Sequence, residues 1–527
     1  MAIRTFAAID VGSFELDLGI YEISVKYGIR EIDHVRQAVA LGKDTYNDGK
    51  ISYSVLEELC GVLKRFTEVM KTYQVKDYRA YASSALREAK NSQIVLDQIY
   101  VRTGLKVMTI SNSELRFKSY KAVVVKEEEF KKTLQDGTAI VDVGFGSTQI
   151  SLFDKEKLAS TQNLLLGVLR LSEMTSHWRT DYRSVPSVIE EMVAYELKTF
   201  RKMYLKDRKI TTLIATGETM NYMIKRGMRE KTKNCFTAEE FKSFCEKLCR
   251  MSVDEIEETY EISRDHAAVM SPSAVLYKTI LEMTGAELLW APGITLCDGI
   301  AAEYAHENRL VKFSHDFEED IVSTAYQMAK RYKCNNAHAA EVERAAVAIF
   351  DATRKYHGLT ERGRLLLKIA AILHDCGKYV NITRGSESSY QIIMATEMIG
   401  ISHLERELVA NIVRYNLQEY AYNEVKLGSD FSLYEGITRR EASILIAKLT
   451  AILRLANSMD RSHKQKLKNC KMAVRGEKLV IVTDYDGSIV LEQYSFDQKA
   501  DFFEEVFGIR PELRQKKGVM TGERDGI

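Results

Sequence analysis

The chain has 527 residues, 45% of them hydrophobic, with 75 Lys and Arg against 74 Asp and Glu. That length exceeds what a single core fills and fits about three or four domains. The near-balance of charge excludes a global basic field for nucleic acid or an anionic membrane surface, so any anionic ligand needs a local site.

In chain order, "FAAIDVGSFELDLGIYEI" reads as strand, tight turn and strand, with Asp10, Gly12 and Ser13 in the turn. The start enters this strand directly, and no run of about 18 apolar residues follows anywhere, so a cytoplasmic protein without signal peptide or membrane segment is expected. A helix over about 54 to 73, the strand "DYRAYAS" and a further helix before "KVMTI" complete an α/β domain over 1–125. Residues 126–305 begin the pattern again with "TAIVDVGFGSTQISLF", whose turn carries Asp142, Gly144, Phe145, Gly146, Ser147 and Thr148. A charged helix over about 186 to 206 and the strand "TTLIATG" follow. From 306 to 468 long amphipathic patterns such as "RGRLLLKIAAILHDCGKYV" predict an all-helical domain. Residues 469–527 return to short strands and one helix, "DQKADFFEEVFG", in a small α/β unit with a polar tail expected to fray. The eight cysteines are scattered, and Cys245 and Cys249 share a helical pattern where a four-residue spacing means packing, so reduced thiols are expected throughout.

A phosphate needs backbone N–H donors at close range, and Asp side chains in the same turns can hold a divalent cation. One Asp-Gly turn only joins two strands, but two matched copies suggest a cleft in which the turns face each other across a phosphate. "ASSALREAKN" adds the hydroxyls of Ser83 and Ser84 and the guanidinium of Arg87, a bidentate phosphate partner by shape, although an N-capped solvated helix start explains them as well.

"AAIDVGS", "ASSALREAKN", "TISNSE", "DVGFGST", "LLLGVLRLSE", "TLIATGETM" and "LRLANSMDRSH" together resemble the exopolyphosphatase and guanosine pentaphosphate phosphohydrolase (Ppx/GppA) family. The resemblance implies a duplicated actin-like ATPase (ribonuclease H-like) core followed by a helical HD-like domain. It also implies removal of the terminal phosphate of polyphosphate or guanosine pentaphosphate with Mg²⁺, or Mn²⁺ in its place. On that resemblance Asp10, Asp142 and Gln149 hold the metal, while Ser13, Arg87, Gly144, Gly146, Ser147 and Thr148 bind phosphate. Glu114 matches the carboxylate that activates the attacking water. The expected partners are polyphosphate or a guanosine nucleotide and a second copy of the chain in a homodimer, with no nucleic-acid polymer and no membrane.

The chain also departs from the family's pattern. Phe14 and Glu15 replace Asn and Ser, Phe145 replaces a glycine, Gln149 replaces Glu, Leu115 replaces a second Glu and Glu218 replaces a glycine. A ring at 145 forces the loop to change or narrows the pocket, and Gln149 loses a charge for the metal. The alternative function is therefore a catalytically weak relative that senses nucleotide or polyphosphate. In the helical domain His338, His374 and Asp375 look like the first parts of an HD metal site whose last Asp falls at Asn457. They are expected as hydrogen-bonded structural residues with no tightly bound metal. Asp460, Arg461 and His463 form a polar cluster or end a helix.

Overall fold

The computed structural model describes residues 3–126, 130, 133–134, 137–154, 157–176, 185–228, 234–313, 315–420, 422, 425, 427–428 and 437–516. The tail expected to fray lies beyond 516, outside the described residues. The chain divides into two compact units, residues 1–317 and 318–527.

The first unit holds two sheets. Strands β1 (Arg4–Val11), β2 (Glu15–Ser24), β3 (Gly28–Ala38), β4 (Asp77–Ala82) and β5 (Val107–Thr109) lie in the order β3-β2-β1-β4-β5. Strands β6 (Thr138–Val143), β7 (Thr148–Asp154), β8 (Lys157–Leu164), β9 (Thr212–Thr216), β10 (Cys235–Thr237) and β11 (Leu288–Trp290) lie in the order β10-β11-β9-β6-β7-β8. Without the edge strand β10 the second order repeats the first, strand for strand. The pairing sense repeats too: an antiparallel meander of three strands, then two strands parallel to the first. The duplicated core read from the two hairpins is present.

Both central strands are buried on both faces, six residues running in each of β1 and β6. Helices packed on either side of a sheet require such unbroken apolar runs. Tyr53–Thr72 is one of them: the Ser52 hydroxyl caps it, and Leu56, Leu59, Leu63, Phe66 and Met70 recur at helical spacing toward the first sheet.

The boundary expected at 305 needs correction. Helix Leu296–Glu307 follows the second sheet in sequence but completes the core of the first, where Cys297, Ile300, Ala301 and Tyr304 meet Phe6, Ala8 and Tyr21. The Phe6 and Tyr304 rings stack at 4.1 Å. The helix can approach because it is built of small residues: a Cβ on Gly299 would lie 2.1 Å from the Lys118 carbonyl oxygen. Glu303 is gripped by Lys118 and Lys121, whose charges outweigh burial and hold its carboxyl down at about 2.

The second unit packs helices Asn336–Ala352, Glu361–Leu373, Gly385–Ala395, His403–Leu417 and Arg439–Ser458. Strands β12 (Lys471–Arg475), β13 (Lys478–Thr483) and β14 (Arg510–Gln515) follow, with β13 and β14 parallel and joined through helix Val490–Phe507. That helix packs on Arg439–Ser458, so the sheet belongs to the same compact unit rather than standing apart as the sequence suggested. Among the described residues no helix is long and apolar enough to cross a membrane.

Ile300→Ala, in the helix that crosses back, should lower the unfolding free energy by about 2–5 kcal/mol, the usual loss for a buried Ile. Urea unfolding with an unchanged slope and a lower midpoint would show it. A midpoint equal to the parent's would mean that the helix does not complete the first sheet's core.

Candidate active site

The two hairpin turns open onto one cleft of about 90 Å³. Since about 15 Å³ admits one water, this is room for a phosphate and a few waters. Asp10, Gly12 and Ser13 come from the first turn, and Asp142 with residues 144 to 147 from the second. A third wall is the first two turns of helix Asn112–Val125, where Asn112, Leu115, Arg116 and Ser119 fall on one face at helical spacing.

The turns are held from beneath. The Gly144 N–H donates to the Ser147 carbonyl at 3.0 Å, closing the second turn. Ser13 Oγ lies 3.0 Å from Ser84 Oγ and accepts from the Ala85 N–H and the Tyr46 hydroxyl, each at 3.1 Å. Gly146 rests on this hydroxyl cluster, and a Cβ there would come within 2.2 Å of Ser84 Oγ and 2.3 Å of the Tyr46 oxygen. Only glycine lets the second turn sit this close to the first half. Ser147 lines the cleft, whereas Thr148 is fully buried and donates to the Leu166 carbonyl.

Two further expected site residues point elsewhere. Arg87 donates to the Ile110 carbonyl and to Asn112 Oδ1, both at 2.7 Å, and so fixes the start of helix Asn112–Val125 instead of lining the cleft. Glu114 accepts from the Ser111 N–H at 3.0 Å and its hydroxyl at 2.7 Å while the Ser111 hydroxyl accepts from the Glu114 N–H, a reciprocal capping box. Glu114 is the third residue of the helix and lies off the face that turns to the cleft.

Sequence reasoning missed Arg116. Its Nη1 lies 2.7 Å from Asp142 Oδ2, and both side chains are nine-tenths buried. Its Nη2 also donates to the Ser147 carbonyl at 3.1 Å, and its buried Nε has no partner. The signal was available: Asn112, Arg116 and Ser119 share the helix face that a site at the helix start would use.

The carboxylates fall into two environments. Asp17, opposite Asp10 across β1 and β2, lies 2.7 Å from both His34 Nε2 and Arg36 Nε. Burial works against its charge, but these partners outweigh burial and hold it below the usual carboxylate range. Burial likewise opposes the His34 cation, yet Asp17 and Glu31 push its pKa up to about 9. Asp10 and Glu218 have no such partners. Burial first, and then the neighbouring carboxylates, Asp17 foremost, push both well above the usual range.

This bears on the expected metal ligands Asp10, Asp142 and Gln149. Asp142 already faces a guanidinium, and Gln149 turns its amide to Thr161 Oγ1 and Ser151 Oγ. Oxygens of Asp10, Asp17 and Glu218 instead lie within 4.8 Å of one another, and Asp10 Oδ1 and Glu218 Oε2 are buried without a partner. An all-oxygen set with two unpartnered buried oxygens suits a hard divalent cation such as Mg²⁺.

The two aromatic intruders answer each other. Phe14 and Phe145 pack with ring centroids 4.7 Å apart, joining the two turns, and the edge of His266 meets Phe14 at 5.2 Å. Phe145 is not among the residues with positive φ, so its backbone avoids the conformation that glycine would permit. Glu15 points away from the phosphate turns, accepting from the Tyr222 hydroxyl at 3.0 Å and pairing with His266.

A double-mutant cycle on Phe14→Leu and Phe145→Leu should give a coupling of about 0.5–1.5 kcal/mol in unfolding free energy. Additive losses would deny that the rings act as a pair. A pH dependence follows from the two protonated carboxyls. The folded state holds protons on Asp10 and Glu218 that the unfolded chain releases near ordinary carboxyl pKa values, so their contribution is fully present below that range and is lost as the pH rises above it. Metal-free protein should therefore lose stability with rising pH, and Asp10→Asn with Glu218→Gln should flatten the curve. A curve unchanged by the double substitution would contradict this assignment.

Comparison with known proteins agrees with this architecture. Residues 20–306 match the Ppx/GppA phosphatase family, and residues 322–494 match domain III of the Ppx/GppA phosphatases. The chain is 21% identical over 471 residues to the guanosine-5'-triphosphate,3'-diphosphate pyrophosphatase of Aeromonas hydrophila, covering 86% of each protein. It is 20% identical over 414 residues to the Photobacterium profundum protein of the same name, covering 78% of this chain and 80% of that one. The crystal structure of an exopolyphosphatase-like protein aligns with a TM-score of 0.51 at 20% identity, over 59% of this chain and all of that one, a likeness of fold. With more than half of its length matched to the family, and with the doubled sheet and facing turns in place, the chain belongs to the Ppx/GppA phosphatases.

Proposed function

We propose that the cleft is the active site of a slow phosphoanhydride hydrolase that removes the terminal phosphate of polyphosphate or guanosine pentaphosphate. The observation that carries this reading is the buried Arg116 guanidinium set between Asp142 and the 144–147 turn at the meeting point of the two hairpins. Phosphoryl transfer asks for in-line placement and neutralised equatorial oxygens more than for covalent help. Arg116, with an unused Nε, and the Ser147 turn supply the cationic and polar contacts for a terminal phosphate. Mg²⁺ or Mn²⁺, held by Asp10, Asp17 and Glu218, would neutralise phosphate charge and orient water. The small cleft admits the terminal phosphate and leaves the remainder of the substrate outside.

Support for slow turnover comes from the same residues. Asp142 is engaged by a side chain rather than left open, and the Phe14 and Phe145 pair fills space between the turns. That packing also suits the alternative of a nucleotide or polyphosphate sensor, which binds without turning over. Its family position implies a water-activating role for Glu114, whereas here its carboxylate caps its own helix off the cleft face.

Phosphate release from polyphosphate and guanosine pentaphosphate, with Mg²⁺ or Mn²⁺, tests this. Arg116→Gln should weaken substrate binding by about 10–100-fold, the loss of one hydrogen bond to a charged group. Glu114→Gln separates two roles: a rate drop of about a hundredfold or more identifies the base, whereas a lower melting temperature at unchanged rate identifies a helix cap. Binding of either substrate with no phosphate release above background would favour the sensor and refute the hydrolase.

A further inference from the structure

The histidines of the helical unit are satisfied by hydrogen bonds. His338 Nδ1 lies 2.8 Å from Asp460 Oδ2, His374 Nδ1 donates to the Ala371 carbonyl at 2.7 Å, and a hydrogen on His338 Nε2 bridges the 3.2 Å to His374 Nε2. A different place in the same unit is less settled. A cavity of about 150 Å³ lies where helices His403–Leu417, Arg439–Ser458 and Val490–Phe507 pack together. Asn416 lines it from the first helix, Arg454 and Asn457 from the second, Arg461 from just beyond the second, and Gln498 and Lys499 from the third.

Three cations meet there without a carboxylate. Arg454 is only 8% exposed; its Nε donates to the Tyr415 carbonyl at 2.7 Å, its Nη2 donates to the Gln418 carbonyl, and its guanidinium lies 4.7 Å over the Phe502 ring. Carbonyls fix a guanidinium but leave its charge in place, and among the described residues Nη1 has no partner. Among the described residues no ion pair reaches Arg454, Arg461 or Lys499. Acids near them in sequence are turned away, Asp460 to His338 and Gln465, and Glu492 to Lys466. Burial first, and then the charges of Arg454 and Arg461, pull the Lys499 ammonium below its usual range. Burial also disfavours the Arg454 cation, by more than Tyr422, Glu419 and Tyr420 restore.

The wall of the cavity gives an independent sign. The Asn416 side chain is 1% exposed, and neither its Oδ1 nor its Nδ2 has a partner. Buried amides without partners are uncommon, since each unmade hydrogen bond is a loss of stability. At 457 an amide stands where a carboxylate would have neutralised the cations.

We propose that this cavity binds a phosphate-class anion, either free phosphate or the phosphoryl group of a small phosphorylated molecule. A carboxylate or halide carries one charge, whereas a phosphoryl group carries about −1.5 to −2 at neutral pH, with three oxygens for a guanidinium, an ammonium and an amide N–H together. Since about 15 Å³ admits one water, the cavity has room for such a group. Its lining belongs wholly to the second compact unit, so it is separate from the cleft between the hairpin turns.

Equilibrium dialysis of the full chain against radiolabelled inorganic phosphate, at an ionic strength fixed with chloride, tests this. Arg461→Gln and Lys499→Gln should each weaken binding about tenfold, the loss of one contact to a charged group, and together should remove one equivalent. The same equivalent should be lost when the pair is introduced into the Arg116→Gln protein, whose cleft is altered. Lys499→Arg keeps the charge and should keep the equivalent. In phosphate-free buffer Lys499→Gln should melt no lower than the parent, because it removes a cation that its neighbours repel, while phosphate should raise the parent's melting temperature more than the variant's. Glycerol phosphate bound as tightly as phosphate would identify the phosphoryl group of a larger molecule, and phosphate bound alone would identify the free ion. Phosphate binding unchanged by the paired substitution would overturn the proposal, as would an Arg116→Gln protein that binds no phosphate.

Discussion

The cleft depends on one ion pair, Arg116 with Asp142. Each half of the core carries an aspartate one residue before the end of its central strand, and each of these is more than 90% buried, with Asp10 6% and Asp142 7% exposed. A buried carboxylate needs a partner or it gives up its charge. Asp142 takes Arg116 and stays paired. Asp10 has no such ion pair, and burial and the neighbouring carboxylates outweigh Arg116 and Arg36 and push its pKa well above the usual range. The two related positions have thus diverged electrostatically, one paired with a guanidinium and the other set among carboxylates.

The aromatic pair follows from the same asymmetry. The Arg116 guanidinium and the ring of Phe145, packed against Phe14, both line the cleft at the second turn. Seen singly, Phe145 breaks a glycine-rich turn and Phe14 adds a ring to the end of the other. Together they make an apolar contact between the halves beside a charged one, while Glu15 ties the same edge to Tyr222 and His266.

The sheets were legible in the sequence because strand alternation and the repeated Asp-Gly turns report local geometry. The return of helix Leu296–Glu307 to the first sheet was not, since an apolar stripe does not say which sheet it covers. At the site, Gly146, Ser147, Asp10 and Ser13 were placed correctly in the two turns because turn chemistry is local. Arg87 was assigned by its guanidinium shape as well as by resemblance, Glu114 and Gln149 by resemblance, and their side chains are turned to Asn112, Ser111 and Thr161. Arg116 and Glu218 matter through long-range neighbours, Asp142 at 26 residues and Asp17 at about 200; the helix face of Asn112 and Ser119 points Arg116 toward the site, but no local pattern names its partner.

On the reading proposed here the cleft would choose its cation by ligand chemistry, because Asp10, Asp17 and Glu218 offer only carboxylate oxygens and such a set suits hard Mg²⁺ better than a metal that prefers imidazole. Burial and the neighbouring carboxylates raise Asp10 and Glu218 above the usual carboxyl range, so a cation bound there would compete with protons and would bind more strongly as the pH rises.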